Sequence, residues 1–194
     1  MLSRAGMLFC LLLPAAWGAP ADSAYRMVDT NLLAAVRTGF EAAPHSAEAV
    51  QNLLTQMENN LPDDPDTWPP IFRAYRAALT GLSGKHSARP WTKYRRAKAG
   101  LAQFEGLVEA HPGSVELRLL RFSFCHGLPG FFDMSDQVIA DRATLVTLLE
   151  QQADDSIPPV FRSDTIRWLL ANGDPTPGER ARLEALLPPT GNND

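Results

Sequence analysis

The segment 85–98 carries six Lys or Arg side chains and no acidic residue, and we call it the basic segment. His86, Trp91 and Tyr94 lie among these cations. Lys and Arg bind carboxylates and phosphates, and Arg does so through planar, paired donors. A histidine beside a hydroxyl such as that of Ser87 could also act as a general base. The basic segment therefore indicates either an anion-binding surface or a site of acid–base chemistry.

A second pair of cations, Arg118 and Arg121, lies one helical turn apart in a stretch dominated by large apolar side chains. A buried guanidinium without a partner is costly, so something must compensate these charges. One alternative is pairing with internal carboxylates such as Glu109, Glu116, Asp133 or Asp141. The other is that the pair lines a cleft that receives an anionic ligand. We expect the Arg121 guanidinium to be held by a carboxylate or by carbonyl groups, so Arg121→Ala should strand that partner and cost about 3 to 5 kcal/mol of stability. An unchanged stability would favour the cleft.

Other chemical motifs are incomplete. Gly84-Lys85 is similar to the end of a phosphate-binding loop, but Leu79 stands where its first glycine belongs and His86 replaces the Ser or Thr that would hold magnesium. The four histidines are far apart and the chain has no H-E-x-x-H motif or closely spaced cysteine pair. We therefore expect no metal ion and no cofactor.

The elements that must position these residues are helices, because Leu and Ala greatly outnumber Ile and Val. Residues typical of helix starts and ends, such as N-cap Ser and Thr, Pro and Gly, also recur along the chain. The predicted helices extend over about 31–42, 46–60, 69–82, 90–110, 114–126, 135–152, 158–172 and 176–187. They predict an all-α fold of about eight helices, either an irregular bundle or a short solenoid of helical hairpins similar to a degenerate tetratricopeptide array.

The fourth helix places the cations of the basic segment unequally. Its apolar stripe is predicted to contain Tyr94, Ala97, Leu101, Phe104 and Val108. At 100° per residue, Arg95 falls on the solvated face, whereas Lys93 falls at the edge of the buried face. We therefore expect Arg95→Ala to change stability by less than about 0.5 kcal/mol.

Residues 1–21 have the pattern of a secretory signal, with Arg4, a short apolar run and the cleavage pattern Ala19-Pro20-Ala21. This predicts a mature chain in the bacterial periplasm or outside the cell. Cleavage removes Cys10 and leaves Cys125 as the one cysteine, which we expect to be buried and inert.

The mature region 22–194 is predicted to form a single all-α domain, with a candidate internal boundary in the acidic, proline-rich stretch 61–70. The net charge of the whole chain is −4, which gives no general attraction to nucleic acid.

The chain also resembles a group of small exported bacterial helical proteins that are tetratricopeptide-like and carry no assigned activity. The resemblance rests on Lys85-His86-Ser87, Pro90, Lys93, Gly100, Pro112, 115–122 and Pro129. Arg89 departs from it, because that group commonly has Asn there. The resemblance implies a helical fold and no particular reaction, and it groups the basic segment and the arginine pair in one recurring unit.

These observations support three hypotheses. The first is an exported, non-enzymatic binding module that recognises an acidic peptide or another anionic group. Its surface is predicted to consist of Lys85, His86, Arg89, Lys93, Arg118 and Arg121. The second is a hydrolase or transferase with His86 as its general base. The third is weak contact with anionic lipid through the basic segment and Trp91.

Overall fold

A computed structural model describes residues 28–152 and 154–188 of the chain. Within these ranges the protein is all-α, as predicted, and no strand is present. The eight helices are α1 (Thr30–Phe40), α2 (Ala47–Asn60), α3 (Pro70–Lys85), α4 (Pro90–Ala110), α5 (Val115–His126), α6 (Ser135–Gln151), α7 (Pro159–Asn172) and α8 (Pro177–Ala185). The predicted signal at 1–21, including Cys10, lies outside the described residues.

The helices begin where local capping chemistry predicts. The Ser46 hydroxyl accepts a hydrogen bond from the Ala49 backbone N–H at 3.1 Å, which satisfies one free donor of α2. Thr176 and Glu179 form a reciprocal capping box at the start of α8. Proline, which lacks the N–H that a first turn leaves unsatisfied, opens α3, α4, α7 and α8.

Gly173 follows the last residue of α7, but it does not adopt the left-handed conformation that usually favours glycine at the end of a helix. Its φ is −91°, which any residue can adopt. A Cβ at this position would lie 2.8 Å from the Leu169 carbonyl oxygen. Glycine is therefore required here by close backbone approach.

Two hydrophobic cores share α5. The first core is built from α1, α2 and α3 together with the facing sides of α4 and α5, and Leu117 belongs to it. The second core lies between α5, α6, α7 and α8, and Phe122 belongs to it. The candidate boundary at 61–70 connects two helices of the first core, and Trp68 within it is buried in that core, with its indole N–H donating to the Pro62 carbonyl at 2.6 Å. The two cores thus meet along α5 and are not separated at 61–70.

Helices α3 and α4 form a tightly packed antiparallel hairpin, in which Gly100 permits the close approach of α4 to α3 and Gly81 permits the contact of α3 with α5. A Cβ at Gly100 would lie 2.8 Å from the Ala77 carbonyl oxygen, and one at Gly81 would lie 2.0 Å from the Phe124 ring. The hairpin places the start of α4, which carries most of the basic segment, beside the end of α3.

Candidate functional site

Both arginines of α5 pair with one buried carboxylate on α6. Arg118 donates to Asp141 at 2.9 Å, and Arg121 donates to the two oxygens of Asp141 at 2.8 and 2.5 Å. Asp141 is completely buried. Burial lowers the pKa of the Arg118 guanidinium, and the neighbouring Asp141 opposes that shift. Of the two alternatives raised by the sequence, internal pairing is therefore the one observed.

The structure does not bring the six predicted surface residues together. Arg118 also donates to the Pro112 carbonyl at 3.1 Å, beyond the last residue of α4. Lys85 and Arg89 lie at the other end of that helix, which has 21 residues and is therefore about 30 Å long. The guanidinium groups of Arg118 and Arg121 are also engaged by the internal carboxylate of Asp141. Arg118 lies far from Lys85 and Arg89, whereas Arg121 borders a groove together with Lys98 of the basic segment. The surface of six residues therefore stays a prediction.

Lys85 and His86 contact the loop between α1 and α2. The Lys85 ammonium donates to the Pro44 carbonyl at 2.9 Å, and His86 Nε2 lies 2.9 Å from the Ala43 carbonyl oxygen. A ring nitrogen that faces a carbonyl acts as a donor, so Nε2 carries the proton in this contact.

The geometry around His86 does not assemble a base and a nucleophile. Ser87 Oγ accepts a hydrogen bond from the Arg89 backbone N–H at 3.2 Å. Among the described residues, the recorded hydrogen bond of the His86 ring reaches a carbonyl, not a hydroxyl or a carboxylate. The hydrolase hypothesis therefore stays a prediction without support from this geometry.

All six cations of the basic segment are exposed. None of them forms an ion pair with a carboxylate of the described chain. Ion pairs of the described residues instead involve other arginines, such as Arg37, Arg142 and Arg182. The positive charge of the segment is therefore uncompensated by close carboxylates.

Lys93 differs from its predicted position at the edge of the buried face. It is exposed, because α4 at this level faces Gly84 at the end of α3. A Cβ at Gly84 would lie 2.6 Å from Arg96 Cβ and 3.2 Å from the Lys93 carbonyl oxygen. Lys93 therefore meets α3 through its backbone, and its side chain is exposed.

Four aromatic rings form a stacked row beside the basic segment, and we call this row the aromatic ladder. Trp91 stacks on Tyr94 with ring centroids 5.6 Å apart, Tyr94 stacks on Phe132 at 5.4 Å, and Phe132 contacts Phe131 at 4.8 Å. Trp91 and Phe131 are 69% and 73% exposed. The ladder therefore presents two large apolar rings to solvent, one from each end.

Tyr94 was expected to lie in the buried stripe of α4, and this expectation is wrong. Its side chain is 38% exposed, because at this level its stacking partners are the exposed Trp91 and the short turn that carries Phe132. Of the predicted stripe, Ala97, Phe104 and Val108 are buried and Leu101 is half-buried.

The second half of the ladder comes from the connection between α5 and α6. A single 3-10 turn spans Gly130–Phe132, and Asp133 follows it with a φ of 53°. This left-handed residue redirects the chain into α6. Neither phenylalanine of this turn is buried in a core, since Phe131 is exposed and Phe132 is half-buried. The consecutive pair Phe131-Phe132 in a connection rich in Gly and Pro is the sequence signal for these two rings.

Two grooves lie near the ladder between α4, α5 and α6. One has a volume of about 260 Å³ and is bordered by Lys98 and Arg121, and the other has a volume of about 240 Å³ and is bordered by Pro129 and Ile139. Cys125 lies at both, is buried as predicted, and has a pKa raised to about 11 by burial. None of the four ladder rings borders either groove.

Within the described ranges, no three His, Cys, Asp or Glu side chains lie close enough together to hold a metal ion. No helix in the part of the chain that the structure describes is both long and apolar enough to cross a bilayer. Comparison of the chain with protein-family models, curated protein sequences and solved structures gave no significant match. The resemblance to exported helical proteins therefore stays a prediction.

Proposed function

We propose that this protein is an exported helical binding module that recognises an anionic group through the basic segment and the adjoining aromatic ladder. The observation that carries the proposal is a juxtaposition at the start of α4. Six exposed cations without carboxylate partners in the described chain lie beside a row of rings, two of them on α4 and two on the turn between α5 and α6. Export rests on the predicted signal at 1–21.

The local charge of this surface favours anions although the chain as a whole is acidic. Interactions between exposed charges are largely screened beyond a Debye length of about 8 Å at physiological salt. The distant acidic stretch at 61–70 therefore does not cancel the field at α4. Arginines such as Arg95 and Arg96 also offer planar, paired donors to carboxylate or phosphate oxygens.

Two acidic residues lie near the ladder and moderate this charge. Asp133 directly follows Phe132, and Asp136 lies in the first turn of α6. Both are exposed, and six cations against two carboxylates leave a local positive excess.

Titration with a decamer of glutamate, followed by calorimetry at low salt, tests this function. The triple variant Lys93→Gln, Arg95→Gln, Lys98→Gln should bind the decamer at least about tenfold more weakly than the parent. A triple variant of equal charge change on α7 and α8, Arg167→Gln, Arg180→Gln, Arg182→Gln, should bind like the parent. Equal affinities of the two triple variants would contradict the proposal, and so would a parent that binds neither the decamer nor anionic phospholipid vesicles.

A further inference from the structure

We infer that the anionic partner of this surface is the face of an anionic phospholipid bilayer, and that Trp91 and Phe131 enter its headgroup region. This inference rests on the proposed function and specifies the partner of the same site. It is carried by the exposure of these two rings, by the charges that flank them and by the shape of the surface around them.

The exposed rings are held in place by the stack behind them. Trp91 rests on Tyr94 and Phe131 rests on Phe132, and the two inner rings stack on each other at 5.4 Å. Both outer rings are therefore fixed in an exposed position, so they lose little conformational freedom when they enter another phase. Trp is favourable at the level of lipid headgroups because its ring has a polar edge, and Phe is one of the apolar side chains that membrane-binding surfaces bury at the same depth.

Cations lie on the same face of α4 as the exposed indole. At 100° per residue, Arg95 lies about 40° and Lys98 about 20° from Trp91 around the helix. Arg89 directly precedes the helix and is also exposed. A bilayer that holds Trp91 in its headgroups would therefore place these cations at the level of the lipid phosphates.

The shape of the surface favours a bilayer over a peptide. One of the two grooves described above is bordered by Lys98 of the basic segment, but none of the four ladder rings borders either groove. A peptide that filled such a groove would therefore leave Trp91 and Phe131 uncovered. Trp91 and Phe131 instead project into solvent. A projecting ring with cations beside it, as at Trp91, is complementary to a soft, negatively charged phase that it can enter.

Sedimentation of the full chain with lipid vesicles tests the inference. Vesicles of phosphatidylcholine with three-tenths phosphatidylglycerol should bind the protein at least about tenfold more tightly than vesicles of phosphatidylcholine alone. The double variant Trp91→Ala, Phe131→Ala should bind the anionic vesicles about tenfold more weakly. Val160→Ala, which shortens a 72% exposed side chain on α7, is the control and should bind like the parent.

Tryptophan fluorescence gives an independent readout of insertion. Anionic vesicles should shift the emission of the parent to shorter wavelength, and Trp91→Phe should abolish the shift while it keeps an aromatic ring in the ladder. Melting followed by circular dichroism should show that each variant remains folded.

The outcomes separate the two proposals. Binding to the glutamate decamer without binding to anionic vesicles would overturn the bilayer inference and leave the proposed function intact. Equal binding to neutral and anionic vesicles, or full binding by the double aromatic variant, would also overturn the inference. A protein that binds neither the decamer nor the vesicles would overturn both the proposed function and the bilayer inference.

Discussion

Asp141 should be the most costly charged side chain to remove from the interface of α5 and α6. It is completely buried and accepts three hydrogen bonds from two guanidinium groups, at 2.9, 2.8 and 2.5 Å. The side chains of Arg118 and Arg121 are only 11% and 13% exposed. Asp141→Ala leaves both of them without their carboxylate, and stranding a buried charge typically costs about 3 to 5 kcal/mol. That is a large part of a typical stability of about 5 to 15 kcal/mol.

Arg121→Ala should cost less, which corrects the expectation that its loss strands a partner. Asp141 would keep its contact with Arg118, so no carboxylate is left alone in the core. The variant loses the bidentate ion pair between Arg121 and Asp141. A hydrogen bond to a charged group contributes about 1.5 to 3 kcal/mol to the free energy of unfolding. We therefore expect a loss of about 1.5 to 3 kcal/mol, smaller than that for Asp141→Ala.

Urea unfolding followed by circular dichroism measures both losses by linear extrapolation. Arg95→Ala on the exposed face of α4 is the control and should change stability by less than about 0.5 kcal/mol. The reasoning is refuted if Asp141→Ala is as stable as the parent, or if Arg121→Ala costs as much as Asp141→Ala. Either result would mean that Asp141 does not link the two arginines.

Three further predictions concern packing and titration. Gly100→Ala should lower the free energy of unfolding in urea by about 1 to 3 kcal/mol, because its Cβ would lie 2.8 Å from a carbonyl oxygen of α3. Gly106→Ala, on the open side of α4, should instead raise it by about 0.5 to 1 kcal/mol. Equal effects of the two variants would contradict the close approach at Gly100. Cys125, with its pKa raised to about 11, should react slowly with a thiol reagent at pH 8 and rapidly in urea, and fast reaction in the native state would show that it is not buried. Burial alone would raise the pKa of Glu179, but hydrogen bonds from Thr176 and Arg142 lower that pKa below 4.5. The ionised Glu179 should therefore stabilise the fold above pH 4.5, and this stabilisation should be lost as the pH falls through the pKa of the folded state. Melting between pH 3 and 6 should therefore show a smaller acid loss for Glu179→Gln than for the parent, and identical pH profiles would rule out this linkage.

The all-α class and most helix ends could be predicted from the sequence, because those features depend on nearby residues. Ser46 caps α2 through a backbone group three residues away, and Thr176 and Glu179 cap each other across the same distance. Pro90 opens α4 by its own covalent geometry. Such interactions form within one helical turn, so the local pattern of residue types is sufficient to indicate them.

The candidate site was only partly predictable for the same physical reason. Six cations without an acid identify the basic segment directly, and its exposure follows from their charge. Tyr94 was placed in the buried stripe because helical periodicity assumes that a partner covers the whole length of α4. In the structure, the first buried residue of α4 is Ala97, and Tyr94 lies outside the part of the helix that its neighbours cover. Periodicity alone carries no information about where a neighbouring helix stops.

Tertiary packing alone decided which distant residues meet. Asp141 was one of four carboxylates considered for the arginines, and another, Glu116, is instead bound by Arg37 and by the Tyr75 hydroxyl. Phe132 joins Tyr94 from a turn 38 positions along the chain. These contacts depend on the angle and offset at which α4, α5 and α6 pack, and those are set by the interlocking of many side chains at once. The sequence by itself therefore determined the helices and the charge of the surface, whereas the tertiary structure decided that the arginines are internal and that the aromatic rings are external.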